Sequence, residues 1–312
     1  MFNKNIIRIG TRKSALALAQ SKLVGDAILN SLPHIKIEYI PMNTAGDKRL
    51  DIALQEIGGK GLFTKELEQA MLAGDIDIAV HSLKDMPIEV PEGLMIGAVT
   101  ERLDPGDAFV SQKYESLEAL PQGARVGTSS LRRRAQLLAV RPDLELLDLR
   151  GNVHTRLSKL DAGEFDAIVL AAAGLKRLDL SERIRSVLPR AMMLPAVGQG
   201  ALAIECRRMD AVIREKISVL HDMDMATAAT AERAFLRRVE GGCQIPVGVY
   251  AETGEGGQIH VDAMIASVDG MQVCRSRSSG AVNRAEQIGT ALAEELLDSG
   301  GREILKEIGI IV

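Results

Sequence analysis

The chain has 312 residues, of which 46% are apolar and 26% charged, and its net charge at pH 7 is −4. That length allows two or three domains with ordinary cores, and the acidic balance argues against general nucleic-acid binding, which usually leaves a basic excess. No apolar run is long enough to cross a bilayer and the N-terminus resembles no secretory signal, so we expect a cytoplasmic protein.

The first third of the chain alternates strand and helix patterns. The predicted elements are a strand over Ile6–Gly10, a helix over Ala15–Leu29, a strand over Ile35–Pro41, a helix over Lys65–Leu72 and a short buried strand over Asp77–His81. Between them, Gly58-Gly59-Lys60-Gly61 is too rich in glycine for regular structure and predicts a mobile loop. The pattern is typical of an α/β fold.

The second third repeats the first. Arg125-Val126-Gly127-Thr128 corresponds to Arg8-Ile9-Gly10-Thr11, and the run from Ala162 to Asp166 corresponds to Ala73–Asp77. In each copy a helix containing Ala-Gln follows the first strand, and a Leu-Lys pair follows the later one. A strand over Glu145–Leu149 completes the second copy. The repeat predicts two similar α/β lobes.

Such lobes place polar residues where anions bind. Ligands of open α/β sheets lie beyond the carboxyl ends of the strands, and helix N-termini offer free N–H groups and a positive dipole end. Gly10–Ser14 and Gly127–Ser130 fit such sites, so facing lobes would form a cleft with an anion site on each wall. Residues 125–160 contain eight Lys or Arg but three acidic residues, which indicates either a bound polyanion or a solvated basic face.

The last third predicts a third, smaller domain. Leu194–Ala201 is predicted to cross back to the first lobe, and a helix over Met225–Arg238 leads to a Gly-Gly-Cys turn at Cys243. Strands over Val247–Glu252, Gln258–Ala266 and Met271–Ser276 and a helix over Arg284–Ser299 follow. We therefore divide the chain into domain 1 (1–99 with 200–218), domain 2 (100–199) and an α+β domain 3 (219–312).

Two residues are candidates for chemistry. Asp85 follows a short strand, beside Lys84 and before Met86-Pro87, and a carboxylate among basic residues can stabilise cations and relay protons. It could equally be a loop or capping residue. Cys243 lies on a turn near Arg233, Arg237 and Arg238, which would favour the thiolate, although a free cysteine is often a buried structural residue. The three cysteines form no CxxC pair, so we predict neither a zinc site nor a disulfide framework.

The motifs together resemble those of the porphobilinogen deaminase (hydroxymethylbilane synthase) family over nearly the whole chain. The motifs that carry the resemblance are Ile9–Arg12, Gly58–Phe63, His81–Pro87, Gly127–Arg133, Leu149–Asn152, Leu194–Ala201 and Glu232–Gly248.

The resemblance implies two lobes like those of periplasmic binding proteins, with a cleft between them, and a small C-terminal α+β domain. It also implies a dipyrromethane cofactor joined by a thioether to Cys243 and used as a primer. Four porphobilinogen molecules are added head to tail with loss of ammonia, and water then releases the linear tetrapyrrole 1-hydroxymethylbilane. A monomer is the family expectation.

Site residues follow from the same resemblance. Asp85 matches the catalytic aspartate, and Phe63 is expected either to stack on a pyrrole or to pack in the protein. The residues matching the family's cofactor and substrate contacts are Arg12, Ser14, Lys60, Ser82, Lys84, Thr128, Ser129, Ser130, Arg132, Arg133, Arg150, Arg156 and Arg177. Relatives often carry Lys where this chain has Gln55-Glu56, so Lys60 is the candidate for a basic contact from the lid.

Two other functions remain open on the residues alone. A two-lobed anion-binding protein without catalysis would explain the repeat and the arginine cluster, but it would not explain Asp85 together with the Cys243 turn. A thiol-dependent transferase acting on a phosphorylated substrate would need a phosphate-binding loop, and no Walker A motif is present.

Overall fold

The computed structural model describes residues 5–44, 64–239 and 245–312. Contacts divide the chain into two compact units, one formed by Met1–Arg102 with Ala201–Ala226 and the other by Leu103–Gly200 with Thr227–Val312. Within the described ranges, no helix is both long enough and apolar enough to cross a membrane. Our division into three domains stays a prediction, because the second unit contains the residues of both predicted domains 2 and 3.

The described part of the chain contains the following helices and strands. The helices are α1 (Ala15–Ser31), α2 (Lys65–Ala73), α3 (Leu131–Val140), α4 (Val153–Asp161), α5 (Ala172–Arg177), α6 (Ala211–Ser218), α7 (Met223–Arg238), α8 (Ala285–Leu296) and α9 (Arg302–Glu307). The strands are β1 (Ile6–Arg12), β2 (Lys36–Met42), β3 (Ile78–Ser82), β4 (Leu94–Val99), β5 (Asp107–Val110), β6 (Arg125–Gly127), β7 (Glu145–Leu147), β8 (Ala167–Ala171), β9 (Ser186–Val187), β10 (Leu202–Arg207), β11 (Val247–Gly254), β12 (Gln258–Ala266) and β13 (Val273–Ala281).

The first unit is built on one five-stranded sheet in the order β2-β1-β3-β10-β4. β1 pairs in parallel with β2 and β3, whereas β10 runs antiparallel to β3 and β4. Ile7, Ile9, Ile78 and Ile204 are fully buried in its core. Because β1 and β3 are parallel neighbours, their carboxyl ends meet at one edge, where a ligand of an open α/β sheet would lie.

The second unit contains a sheet with the same topology, in the order β7-β6-β8-β5-β9. β6 pairs in parallel with β7 and β8, and β5 runs antiparallel to β8 and β9. Each strand therefore has a counterpart in the first unit, and β5 corresponds to β10. This confirms the prediction of two similar α/β lobes from the sequence repeat.

The second unit also contains a three-stranded antiparallel sheet in the order β11-β12-β13, against which α8 packs. The predicted small C-terminal α+β layer is therefore confirmed. Its third strand begins at Val273, later than predicted, because 267–272 form a turn in which Ser267 Oγ accepts from the Gln272 N–H (2.9 Å) and Asp269 accepts from the Met271 N–H (3.0 Å).

β7 is also shorter than predicted, because it ends at Leu147 and not at Leu149. The N–H of Leu149 donates to the hydroxyl of Ser129 (3.0 Å), and that hydroxyl donates to the Leu149 carbonyl (3.1 Å). A side chain therefore occupies the backbone groups that a further ladder pair would use.

Helices α7 and α8 approach most closely at a glycine. A Cβ added to Gly289 of α8 would overlap the backbone carbonyl oxygen of Ala231 of α7. Because backbone cannot move aside like a flexible side chain, Gly289→Ala should force the helices apart and lower the free energy of unfolding by about 1–3 kcal/mol. Urea unfolding measures this effect.

The control is Gln287→Ala, an exposed position on the same helix, where we expect a change within about 0.5 kcal/mol. If both variants unfold at the same urea concentration as the parent protein, the close approach of these helices is wrong.

Candidate active site

One group of candidate residues lies at the edge of the first unit where β1 and β3 end. Arg12, the last residue of β1, is half-buried. Ser14 caps α1 by accepting a hydrogen bond from the Ala17 N–H (3.3 Å). Gln20 of α1 donates from Nε2 to the hydroxyl of Ser82 at the end of β3 (2.9 Å). These contacts fix the strand end that leads to Asp85.

Asp85 itself lies on a single 3₁₀ turn, Leu83–Asp85, directly after β3. Leu83 is buried at 1% exposure, its N–H donates to the Ala201 carbonyl (3.0 Å), and Met86 is buried after the turn. Buried residues therefore anchor the turn on both sides, while Lys84 stays half-buried and Asp85 is exposed. The turn therefore places an exposed carboxylate beside a half-buried cation.

The matching edge of the second unit lies where β6 ends. Thr128 Oγ1 accepts from the Ser130 N–H (3.2 Å), and Ser130 caps α3 by accepting from the Arg133 N–H (3.4 Å). Ser129 bonds both backbone groups of Leu149, as described above. All three predicted contact hydroxyls therefore take part in shaping the loop between β6 and α3, and Thr128 is almost fully buried.

Arg132 and Arg133 are the best-anchored cations of this edge. Both are buried, and both bind Asp107, which has no exposed surface. Arg132 Nη1 lies 2.6 Å from Oδ2, and Arg133 donates to Oδ1 from Nη2 (2.6 Å) and Nε (2.9 Å). Gln199 adds an amide bond to Oδ1 (3.0 Å). The Asp107 carboxylate thus neutralises part of the positive charge of the basic cluster that the sequence shows in residues 125–160.

The group formed by Asp107, Arg132 and Arg133 carries a net positive charge. Burial alone would raise the pKa of Asp107, but the charges of Arg132 and Arg133 and their hydrogen bonds outweigh burial and hold that pKa well below its usual range. Burial lowers the pKa of Arg133, and Asp107 opposes the change. Two arginines against one aspartate leave a net positive charge, which suits a carboxylate ligand. That Arg132 and Arg133 bind the cofactor stays a prediction.

Arg150 lies on the turn that follows β7, and Arg156 lies in the first turn of α4. Arg150 is half-buried, and Arg156 donates from Nε to the Gly151 carbonyl (2.7 Å). Gly151 has φ +108°, and a Cβ there would lie 2.7 Å from the side chain of Thr155. Asn152 then caps α4 by accepting from the Thr155 N–H (2.9 Å). The Arg-Gly-Asn sequence therefore specifies this turn and the position of both cations.

Arg177 is a half-buried cation whose pKa no described acidic group influences. It donates from Nη2 to the Gly200 carbonyl (2.5 Å), and burial lowers its pKa to about 10. At neutral pH it still carries a full positive charge in a partly dehydrated place. A carboxylate ligand would restore the interactions that burial removed.

Three positioning residues were missed from the sequence: Asp107, Gln199 and Glu232. Glu232 is fully buried on α7, where its carboxylate accepts from the N–H groups of Gly198 (2.6 Å) and Ala251 (2.8 Å). Gln199 donates from Nε2 to the Pro105 carbonyl (2.7 Å) as well as to Asp107. A single acid in the otherwise apolar run Asp107–Val110 was the available signal for Asp107, because buried acids are rarely left unpaired.

Some predicted site residues cannot be placed. Cys243, Lys60 and Phe63, together with Gln55-Glu56, lie outside the described residues. Of the described cysteines, burial raises the pKa of Cys206 to about 11 and also raises the pKa of Cys274. Both are therefore protonated thiols at neutral pH. Within the described ranges, no three His, Cys, Asp or Glu side chains form a group that could hold a metal ion.

The ion pairs of Asp107 with Arg132 and Arg133 can be tested by substitution. Asp107→Asn removes the charge that balances two buried guanidinium groups, so we expect the free energy of unfolding at pH 7 to fall by about 3–5 kcal/mol. Because the folded-state pKa of Asp107 is depressed, its contribution is present above the unfolded pKa and is lost as pH falls through the folded value. The stability gap between parent and variant should therefore narrow in acid.

Asp161→Asn is the control, since Asp161 forms a surface ion pair with Arg183 (2.6 Å) that should contribute at most about 1 kcal/mol. Equal losses in the two variants at pH 7, measured by chemical denaturation, would contradict the assignment of Asp107 as the central buried charge.

Comparison with solved structures finds bacterial solute-binding proteins at low identity. The methionine binding protein MetQ is 16% identical, with 74% of this chain and 96% of that chain covered and a TM-score of 0.45. A periplasmic substrate-binding protein of an ABC transporter from Coxiella burnetii is 14% identical, with 73% and 96% covered and a TM-score of 0.43. The alkanesulfonate-binding protein SsuA from Xanthomonas axonopodis pv. citri is 16% identical, with 77% and 76% covered and a TM-score of 0.36.

Two protein-family models match most of the chain. Residues 7–215 match the dipyromethane cofactor binding domain of porphobilinogen deaminase, and residues 226–298 match the C-terminal domain of the same enzyme. The first match includes Asp85 and every arginine of the two edges described above, and the second includes Cys243. The chain belongs to the porphobilinogen deaminase family.

Proposed function

We propose that the chain is a transferase that condenses four porphobilinogen molecules head to tail on a dipyrromethane cofactor and releases 1-hydroxymethylbilane. The observation that carries this proposal is the anchored turn with Asp85 and Lys84 in a chain whose two family matches are both porphobilinogen deaminase domains. Ammonia leaves at each addition, and water ends the sequence. The chain is expected to act as a monomer.

The described residues have the charge that the cofactor needs. Each pyrrole carries an acetate and a propionate, so a growing chain of pyrroles accumulates negative charge. Arg177 is half-buried and no described acidic group influences its pKa, and the Arg132–Arg133 pair retains a net positive charge beside Asp107. Charge-assisted hydrogen bonds from arginine to carboxylate are stronger than neutral ones. The fit supports binding of a polycarboxylate by these residues.

We propose Cys243 as the attachment point. The thiols of Cys206 and Cys274 have raised pKa values, which makes them poor nucleophiles at neutral pH. Cys243 is a member of the C-terminal domain match and follows Gly241-Gly242. When bound there through a thioether, the dipyrromethane supplies a terminal pyrrole whose free α-carbon is the nucleophile.

Asp85 acts on the charge that develops in porphobilinogen. Loss of ammonia from its aminomethyl group leaves a methylene-pyrrolenine cation, which a fixed carboxylate stabilises more than it stabilises the neutral pyrrole. Because the 3₁₀ turn is anchored by Leu83 and Met86, the carboxylate need not reorganise as the cation forms. The same group can accept the proton that the attacking pyrrole carbon loses. Lys84 is placed to hold a substrate carboxylate.

A two-lobed anion-binding protein without catalysis is the alternative. Such a protein would bind porphobilinogen without changing it. Incubation of the purified protein with porphobilinogen separates the two functions, because the enzyme must release one ammonia for each porphobilinogen consumed and one 1-hydroxymethylbilane for every four. Bound porphobilinogen recovered intact would reject the proposal.

Asp85→Asn tests the catalytic assignment. The amide keeps the shape of the side chain but lacks the negative charge, so turnover should fall by about 100-fold or more, while the thermal midpoint of unfolding stays close to that of the parent protein. Ammonia release under saturating porphobilinogen measures the loss.

The matched control is Glu89→Gln, which removes an exposed carboxylate from the same stretch of chain and should retain parental turnover. If Asp85→Asn keeps more than about half of the parental rate, Asp85 is not the group that stabilises the cation.

A further inference from the structure

Three titratable side chains of the first unit are buried together outside the residues assigned so far. His81 on β3 and Glu68 on α2 are each 7% exposed, and Glu205 on β10 has no exposed surface. His81 Nε2 lies 3.2 Å from Glu205 Oε2. Neither the binding of carboxylates nor the work of Asp85 uses this cluster, so its burial needs a separate explanation.

The topology of the sheet brings the three residues together. β10 pairs with β3 so that Glu205 faces Ala79, two residues before His81, which makes the two titratable residues diagonal neighbours on one face. The register between β10 and β4 shifts between Ile204 and Glu205, and a bulge of this kind redirects a side chain. Helix α2 covers the same face, where Leu67 and Met71 pack against Ala79.

The cluster contains more negative than positive charge if both glutamates are ionised. One carboxylate oxygen of each glutamate, Oε1, accepts no hydrogen bond from the described residues. Ionised carboxylate oxygens that are buried without donors are strongly destabilising. A proton on Glu68 removes one negative charge and supplies one of the missing hydrogens, while His81 already contacts the other oxygen of Glu205.

The pKa of Glu68 agrees with this balance. Burial raises that pKa first of all, the neighbouring Thr64 side chain and the charge of His81 lower it, and the charge of Glu205 raises it further. The elements packed around the cluster bring few other charges. Glu66 on α2 raises the pKa of Glu68 slightly, Arg12 ends the neighbouring β1, and β4 carries no titratable residue. At the far end of β3, Asp77 is paired with Arg8 and Arg207.

The position of the cluster connects it to the active site. His81 directly precedes Ser82, and the turn that carries Lys84 and Asp85 comes next. β1 pairs in parallel with β3 up to Gly10 and Ala79, two residues before Arg12 and His81 respectively. The His81–Glu205 contact therefore holds the strand end from which Asp85 projects.

We propose that His81, Glu205 and Glu68 form a buried cluster that positions the Asp85 turn while Glu68 holds a proton, and that this turn is held less firmly when the proton leaves. The three are positioning residues, since none is expected to touch substrate. The effect on turnover rests on the proposed function, whereas the effect on stability does not.

The sign of the pH dependence follows from Glu68. A group whose pKa is higher in the folded than in the unfolded state contributes stability that is present below the unfolded pKa and is lost as pH rises through the folded value. Glu68→Gln mimics the protonated acid and cannot ionise. We therefore expect its thermal midpoint to decline less than that of the parent protein as pH rises through the folded-state pKa of Glu68, and the fall of its kcat over that range to move to higher pH.

Glu66→Gln is the matched control on the same helix. Removing Glu66 lowers the pKa of Glu68, so this variant should shift the same fall of stability and kcat slightly to lower pH. Both variants are compared with the parent holoenzyme by thermal unfolding and by porphobilinogen turnover across pH. Parallel curves for the parent and Glu68→Gln in the unfolding series would overturn the proton on Glu68, whatever the protein catalyses.

Glu205→Gln tests the positioning role. Loss of the charge that fixes His81 should lower kcat by about 10- to 100-fold, while KM changes less than about twofold, because a small displacement of a catalytic group affects turnover more than binding. If this variant folds and keeps the parental kcat, the cluster does not position Asp85. Should it fail to fold, the Glu68→Gln pH profile still decides. Absence of turnover in the parent protein would reject the proposed function and leave the stability result standing.

Discussion

The second lobe depends on one buried carboxylate that binds two arginines. Asp107 lies at the start of β5, Arg132 and Arg133 lie in the first turn of α3, and Gln199 joins them from the segment before β10. Because two cations share one anion, the site is both fixed in place and positive. A set of arginines held only by solvent would need to be ordered by each ligand, whereas these are ordered before a ligand arrives.

Burial has a different effect on Arg177. Arg177 is partly dehydrated and has no acidic influence among the described residues, so its charge remains uncompensated. Glu232 accepts from the Gly198 N–H, and Arg177 donates to the carbonyl of Gly200. Gln199, within the same segment, donates to the Pro105 carbonyl and to Asp107. The segment is thus held by its own Gln199 and by side chains of α7 and α5, and Gly198 and Gly200 have φ +71° and +98°.

Much of the fold could be predicted because it depends on local patterns. The repeat around Gly10 and Gly127 predicted two sheets of equal topology, and strand β12 has the predicted bounds. The rest of the fold could not be predicted, because it depends on contacts between residues that are far apart in the sequence. The Leu149 backbone is taken by Ser129, twenty positions earlier, and no pattern in either stretch reports that contact. β10 in the first sheet and β5 in the second occupy equivalent places, and each lies far along the chain from the strands that it pairs with.

The candidate site shows the same division. Asp85 and the arginines could be named because their motifs are contiguous in the sequence. Asp107, Glu232 and the His81–Glu205–Glu68 cluster could not, since the fold brings their partners together over long separations, such as the 137 positions between Glu68 and Glu205. Charged residues in apolar stretches are the only sequence signal for such groups, and that signal identifies a buried charge without identifying its partner.

The most direct test of the account is the intact mass of the purified protein after exposure to porphobilinogen, compared with Cys243→Ser and Cys274→Ser. If the dipyrromethane is attached to Cys243, the parent protein and Cys274→Ser carry a stable excess mass equal to two linked pyrrole units, and Cys243→Ser carries none. A bare mass for the parent protein after exposure, or the same adduct on Cys243→Ser, would contradict a primer bound through that cysteine.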